Sequence, residues 1–339
     1  MPPGSDRRKR IAEIAWLAAR ELVSSTTLAS FAMRTLAIRR MMLKSGRLRE
    51  GLRYGSRPRN VMDVYVPETA PGAEPGRQRP VVLFIHGGVW SSGALWQYAM
   101  MGARLSEAAG CVVFVTTHTF YPEIDADGME LEICEAIDYA AAQAPAFGGR
   151  ADDLTLIGHS SGAHLAAMAI LRRAGLARSA PPVAASPAGP ASPAVPARCV
   201  FASGVYDIAQ HLRHEEKRGV ASLSAMARLF SPHFASHSPA LLVRGQEGRE
   251  GEGRTLPACH VWGASHDPVC PWAGSEGWAT ALSQSGLCPR VASYCWEGAD
   301  HAAFVTCWGG AGKHNAAAPG EEIAARLAHL IAGGASHTP

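Results

Sequence analysis

Much that would mark a common binding scaffold is missing from this chain. Eight cysteines are spread over 339 residues, yet none forms a Cys-x-x-Cys pair and no Cys/His spacing matches a zinc ligand set. Zinc-ribbon and dithiol redox classes are thereby excluded. Reduced thiols fit best, since several cysteines lie inside apolar runs; Cys259–Cys270 and Cys288–Cys295 bridges are the alternatives. Net charge is only +3 with histidine neutral, and no basic stripe is interleaved with aromatics, which argues against a nucleic-acid partner. No N-terminal run reaches bilayer length: the longest uncharged one is Leu22–Met33, against about 20 residues for a span. Glu13, Arg20 and Glu21 interrupt any signal-peptide core. No motif asks for a metal or an organic cofactor, and none is expected.

What is present is alternation. Seven apolar runs read as strands: Val61–Val66, Val81–Ile85, Cys111–Thr116, Leu154–Ile157, Cys199–Ser203, Ala258–Gly263 and Val291–Trp296. Helix-prone stretches separate most of them: Ala94–Ala109, Met129–Ala144, Ala163–Arg173, Ser222–Phe230, Gly274–Gln284 and, last, Glu321–Ile331. Strands buried on both faces read as continuous apolar runs, so the pattern predicts an α/β chain. Its architecture is a mostly parallel, doubly wound sheet with helices on both faces, and the 47% apolar composition suffices to fill the core.

One of these strands runs into Gly158-His159-Ser160-Ser161-Gly162 and then directly into a helical run. Strand, sharp turn and helix with serine at the apex is the G-x-S-x-G nucleophile elbow. Side chains at positions 158 and 162 would collide with adjacent backbone, which glycine avoids. The helix that follows favours negative charge near its N-terminus. Upstream, Val81–Ile85 ends in His86-Gly87-Gly88-Val89-Trp90. Acyl transfer develops an oxyanion that needs fixed N–H donors. Gly87 and Gly88 can supply them where missing side chains let a substrate approach, and Ser161, after the nucleophile, supplies a third.

A serine nucleophile requires a base and the base an orienting carboxylate. With an elbow of this type the acid and then the histidine follow in chain order, after late strands. Asp267 lies in the loop after the sixth strand and His301 in the loop after the seventh. Asp207 is the competing acid, after an earlier strand. Among other histidines, His159 is inside the elbow and points away from Ser160, His266 has no later strand, and His211 and His214 read as a solvated helical face. Asp300 is adjacent to His301 and turned away from the imidazole.

The first 50 residues stand apart as a helix-prone extension, rich in Arg near its start, and residues 51–335 form the α/β domain. The stretch 11–43 caps the active-site mouth, lies on a membrane surface as a basic helix, or serves as a targeting peptide. Low-complexity insertions are expected near 177–197, 244–254 and 309–320, between elements of the sheet.

Together these motifs resemble the α/β-hydrolase superfamily, and the HGG loop resembles that of its carboxylesterase and hormone-sensitive-lipase-like members. Tyr54-Gly55-Ser56-Arg57-Pro58-Arg59-Asn60-Val61-Met62-Asp63-Val64-Tyr65-Val66-Pro67 is similar to the entry strand of isoprenylcysteine α-carbonyl methylesterases, as are Phe230-Ser231-Pro232 and His301-Ala302-Ala303-Phe304 to their counterparts. That family often has Gly-Gln-Ser-Ala-Gly at the elbow, where this chain has Gly-His-Ser-Ser-Gly. The resemblance implies an α/β-hydrolase fold and a serine hydrolase with catalytic Ser160, Asp267 and His301, acting on a small-molecule or prenylated-cysteine ester. Trp90, Tyr121 and Trp272 would line an apolar groove for the thioether chain. The expected location is the cytoplasm or the cytosolic face of the endoplasmic reticulum or Golgi, with peripheral membrane contact if the N-terminal stretch is a membrane-surface helix. A kynurenine formamidase and a general carboxylesterase are the alternatives within enzymes. A hydrolase-fold receptor without turnover is the rival from another class, and the complete Ser, Asp and His set argues against it.

Overall fold

Alternating burial along the apolar runs dictates the layering. The computed structural model describes residues 25–68, 78–177, 194–246, 255–309 and 317–333. In β3 (Arg79–Ile85), Val81, Leu83 and Ile85 enter one core, whereas Val82 and Phe84 enter another on the opposite face. Such two-sided burial requires helices on both faces.

The strands are β1 (Leu48–Arg53), β2 (Val61–Tyr65), β3, β4 (Val112–Thr116), β5 (Gly149–His159), β6 (Arg198–Ala202), β7 (Ala258–Ala264) and β8 (Val291–Trp296). They form one sheet in the order β1-β2-β4-β3-β5-β6-β7-β8. From β4 to β8 every pairing is parallel, and only β1–β2 and β2–β4 are antiparallel. The helices are α1 (Ser25–Lys44), α2 (Ala99–Ala109), α3 (Ala126–Gln143), α4 (Ser161–Arg173), α5 (Ile208–Lys217), α6 (Met226–Phe230), α7 (Pro239–Arg244), α8 (Trp272–Gln284), α9 (Ala303–Thr306) and α10 (Ala317–Ile331). Helices α3, α4 and α8 bury apolar residues in the first core, and α1, α2 and α10 in the second. Among the described residues no helix is long and apolar enough to cross a membrane.

Seven strands fall on the expected runs; β1 was not among them. Its sequence, Leu-Arg-Glu-Gly-Leu-Arg, has no apolar run, because it is an edge strand whose charged side chains face solvent. A register shift between Arg49 and Leu52 places Gly51 at φ +67°, and its N–H donates to Asp63 Oδ1 at 3.0 Å. Position 50 thus lies inside a strand of the sheet. Helix α1 lays Thr35, Ile38 and Met42 against the second face. Residues 11–24 lie outside the described residues, as does most of the three expected insertions. Where their ends are described, they are ordered. Ala194 N–H donates to Asp138, its carbonyl accepts from Arg173, and α10 begins at Ala317, within the stretch expected to be an insertion. All eight cysteines are free; Cys288 Sγ faces Cys259 Sγ at 3.7 Å, so neither bridge considered from the sequence is present.

Helices α3 and α4 are clamped by Arg172, which pairs with Asp127 and with the fully buried Glu130. Removing one partner of a buried pair strands the other's charge, at about 3–5 kcal/mol. Arg172→Met should therefore lower the unfolding free energy by about that amount in a denaturant titration; a loss within experimental error would contradict the clamp.

Candidate active site

The C-terminal ends of the parallel strands bring the chemistry together. Strand β5 lies between β3 and β6, and its end turns sharply at Ser160 into α4. Ser160 has φ +56° and ψ −127°, a conformation rare for a residue with a side chain, costing about 1–3 kcal/mol. The turn is held by Ser160 N–H donating to Ala202 O at 2.9 Å and by close packing of glycine backbone. A Cβ on Gly162 would lie 2.2 Å from Ile85 O, and one on Gly158 would lie 2.4 Å from Gly162 O. Neither position tolerates a side chain.

Ser160 Oγ donates towards His301 Nε2 at 3.1 Å, and His301 Nδ1–H donates to Asp267 Oδ2 at 2.8 Å. Asp267 comes from the loop after β7 and His301 from the loop after β8. The other carboxylate oxygen, Oδ1, accepts the N–H groups of Val269 and Cys270, both at 2.8 Å. Burial alone would raise the Asp267 carboxyl, but the hydrogen bond and charge of His301 and the Cys270 N–H outweigh it and hold the group below the usual carboxylate range. Asp207, the competing acid, caps α5 by accepting Gln210 N–H at 2.9 Å. Asp300 Oδ1 accepts Ala302 N–H at 3.0 Å.

The loop after β3 packs directly on the elbow. A Cβ on Gly87 would come within 2.8 Å of Ser160 Cβ, and one on Gly88, at φ +137°, within 2.0 Å of Ser92 O. Among the described residues no acceptor pairs with the N–H of Gly87, Gly88 or Ser161. The carbonyls point the other way: Gly87 O accepts His86 Nδ1–H at 2.7 Å, and Gly88 O accepts Ser91 and Ser92 N–H at 3.1 and 3.0 Å. Unpaired donors beside the Ser160 hydroxyl are what an oxyanion requires.

The structure assigns parts to residues the sequence did not single out. His159, dismissed there as a base, donates Nε2–H to the backbone carbonyl of His301 at 2.9 Å and stacks parallel to Phe304. Burial pushes its pKa down to about 3, so it is a neutral donor that steadies the His301 loop. His211 and His214 are half-buried, not solvated: His214 Nε2–H donates to Pro268 O at 2.9 Å, and burial lowers His211 to about 4. Both line a cavity of about 260 Å³ with Asp207, Tyr206, Cys270 and Pro271, beside the Asp267 loop. None of Trp90, Tyr121 and Trp272 lines it. Trp90 is buried at 2% exposure, its indole donating to His164, and Tyr121 follows it through a Tyr121 N–H bond to Trp90 O. Trp272 covers Gly263, whose absent Cβ leaves room for the indole. Of the three aromatics read as groove lining, Trp90 is buried, whereas Tyr121 and Trp272 are half-buried.

Asp127, Glu130 and His237 bring potential ligand atoms within 4.8 Å of one another. The Arg172 guanidinium already contacts both carboxylates, which makes the cluster an ion-pair network and not a metal site.

Sheet order, the elbow and the Ser160–His301–Asp267 contacts decide the fold. The chain has the α/β-hydrolase fold. The family model described as BD-FAE matches residues 62–215. The probable isoprenylcysteine alpha-carbonyl methylesterase of Oryza sativa subsp. japonica is 28% identical over 252 residues, 73% of this chain and 56% of that protein. The chain thus spans about half the length of the curated relatives it matches. Among solved structures, an inhibited esterase B from Lactobacillus rhamnosis superposes with a TM-score of 0.65 at 15% identity, covering 90% of this chain and 96% of its own. An esterase from Pyrobaculum calidifontis gives 0.62 at 18% identity, covering 98% and 99%. At such identities the structures speak to the fold.

A depressed carboxyl stabilises the fold above its unfolded pKa, and that contribution is lost as pH falls through the folded value. Asp267→Asn should therefore flatten the fall in melting temperature between about pH 5 and pH 2 relative to the parent. Parallel curves for the two proteins would contradict the contacts assigned to Asp267. Gly87→Ala, which drives a methyl into Ser160, should lose activity at least about a hundredfold while the protein still folds; unchanged turnover would contradict the packing of loop on elbow.

Proposed function

We propose that this α/β-hydrolase cleaves a carboxylic ester through an acyl-enzyme on Ser160. The observation that carries the reading is the continuous path Ser160 Oγ–His301 Nε2, 3.1 Å, and His301 Nδ1–Asp267 Oδ2, 2.8 Å. His301 accepts the Ser160 proton as Oγ attacks the ester carbonyl, and the carbonyl π electrons move onto oxygen. Asp267 fixes the imidazole tautomer and stabilises the imidazolium that forms. Gly87, Gly88 and Ser161 N–H groups receive the oxyanion, each contributing about 3 kcal/mol. Collapse of the tetrahedral adduct breaks the bond to the alcohol oxygen, which takes the proton from His301. Water then repeats the sequence: His301 removes its proton, the carboxylic acid leaves and Ser160 is regenerated.

For the substrate we infer an isoprenylcysteine methyl ester, with methanol as the leaving group. Support comes from similarity to a protein of that printed name along 73% of this chain, at 28% identity. The segment 54–67 includes β2, and the loop from His301 to Phe304 carries the base.

A fluorophosphonate probe should label the parent and not Ser160→Ala. An unlabelled parent would support a binding protein and defeat the ester-hydrolase reading. In a substrate panel, farnesylcysteine methyl ester should give a higher kcat/KM than N-formylkynurenine or 4-nitrophenyl acetate. Faster turnover of the formamide would overturn the substrate and leave the mechanism standing.

A further inference from the structure

Behind the loop of Gly87 and Gly88 lies a buried hydrogen-bonded chain that the hydrolytic steps do not use. Trp90 Nε1–H donates to His164 Nδ1 at 3.2 Å. An indole can only donate, so Nδ1 accepts and the His164 proton is on Nε2. That proton is donated to the carbonyl of His237 at 2.8 Å, and His237 Nδ1–H donates to Glu130 Oε1 at 2.7 Å. Glu130 is held from the far side by Arg172. Trp90, His164, Glu130 and His237 are all at most 4% exposed. Phe230 closes the packing, edge-on to both Trp90 and His164, with centroids 5.1 and 5.2 Å away.

We propose that Trp90 and His164 are positioning residues: this chain fixes the loop that presents the Gly87 and Gly88 N–H groups to Ser160. Val89 and Trp90 have φ of +49° and +58°, a left-handed stretch that non-glycine residues hold only when their surroundings enforce it. The indole of Trp90 is the deep anchor of that stretch. His164 is four residues beyond Ser160 on α4, the helix whose first residue, Ser161, provides the third N–H. One imidazole therefore ties both sides of the oxyanion site together. Burial lowers its pKa to about 3, so the bonding pattern does not change with pH across the neutral range. The segment that carries Phe230 and His237 joins β6 to β7, and Glu130 is on α3; three separate parts of the chain thus meet on one loop.

The inference rests on the ester-hydrolase reading, and the test separates the two. Kinetics with 4-nitrophenyl acetate are measured beside inhibition by an alkyl trifluoromethyl ketone, which adds to Ser160 and leaves an oxyanion in the site. Trp90→Phe keeps an aromatic ring and removes the N–H. It should lower kcat roughly ten- to a hundredfold with KM changed less than about twofold, and weaken the ketone by the same factor as kcat. His164→Leu should do likewise, whereas His164→Gln, which can still accept and donate, should retain most of both. Leu282→Ala, a fully buried change in α8 away from the chain, is the control for stability alone and should alter neither. If Trp90→Phe does not fold, the His164→Leu and His164→Gln pair carries the comparison. Ketone affinity and kcat that stay at parental values in Trp90→Phe and His164→Leu, or that fall equally in Leu282→Ala for the same loss of melting temperature, would overturn the proposal. A parent that neither turns over the ester nor reacts with a fluorophosphonate would instead defeat the reading on which it rests.

Discussion

Everything at this site depends on backbone pressed against backbone where β3, β5 and α4 meet. Gly162 lies so close to the carbonyls of Ile85 and His86 that a methyl group would sit 2.2 Å from one and 2.5 Å from the other. That contact joins the end of β3, which starts the HGG loop, to the start of α4, which presents Ser160. A serine at φ +56° is strained, and the strain persists because the sheet on both sides overdetermines the turn. The loops after β7 and β8 then need only reach the same edge of the sheet to place Asp267 and His301.

The histidines around Ser160 illustrate how burial assigns roles. His86, His159 and His164 are pushed down to about 4, 3 and 3 respectively, so all three remain neutral dipoles at ordinary pH. Each directs a ring N–H at a backbone carbonyl: Gly87, His301 and His237 in turn. They order loops without adding charge beside the nucleophile. His301, unlike these three, faces a carboxylate, that of Asp267, which is what an imidazole needs in order to become imidazolium during the reaction.

Legibility followed the range of the physical constraint. The elbow and the HGG loop impose local demands on backbone, so the sequence displays them as glycines at 87, 88, 158 and 162. Asp267 and His301 were marked by chain order after late strands, and the fold brings both to Ser160. Core strands were visible because they are buried on two faces; β1 was not, because an exposed edge strand has no apolar signature. Convergence of distant side chains left no trace in the sequence. The Trp90–His164–His237–Glu130 chain joins positions up to 147 apart in number (237 − 90), and each residue taken singly is an ordinary core or surface type. For the same reason the buried Trp90 was read as groove lining, and the packing of α5 against the Asp267 loop, which half-buries His211 and His214, was read as a solvated face.

The central claim is that Ser160 becomes covalently acylated during turnover. Rapid mixing with excess 4-nitrophenyl acetate, followed by acid quench and peptide mass analysis, tests it most directly. The account predicts a 4-nitrophenol burst approaching one equivalent per chain and an acetyl group on the peptide containing Ser160. Steady ester turnover with that peptide unmodified, or with the acetyl group on another residue, would contradict it.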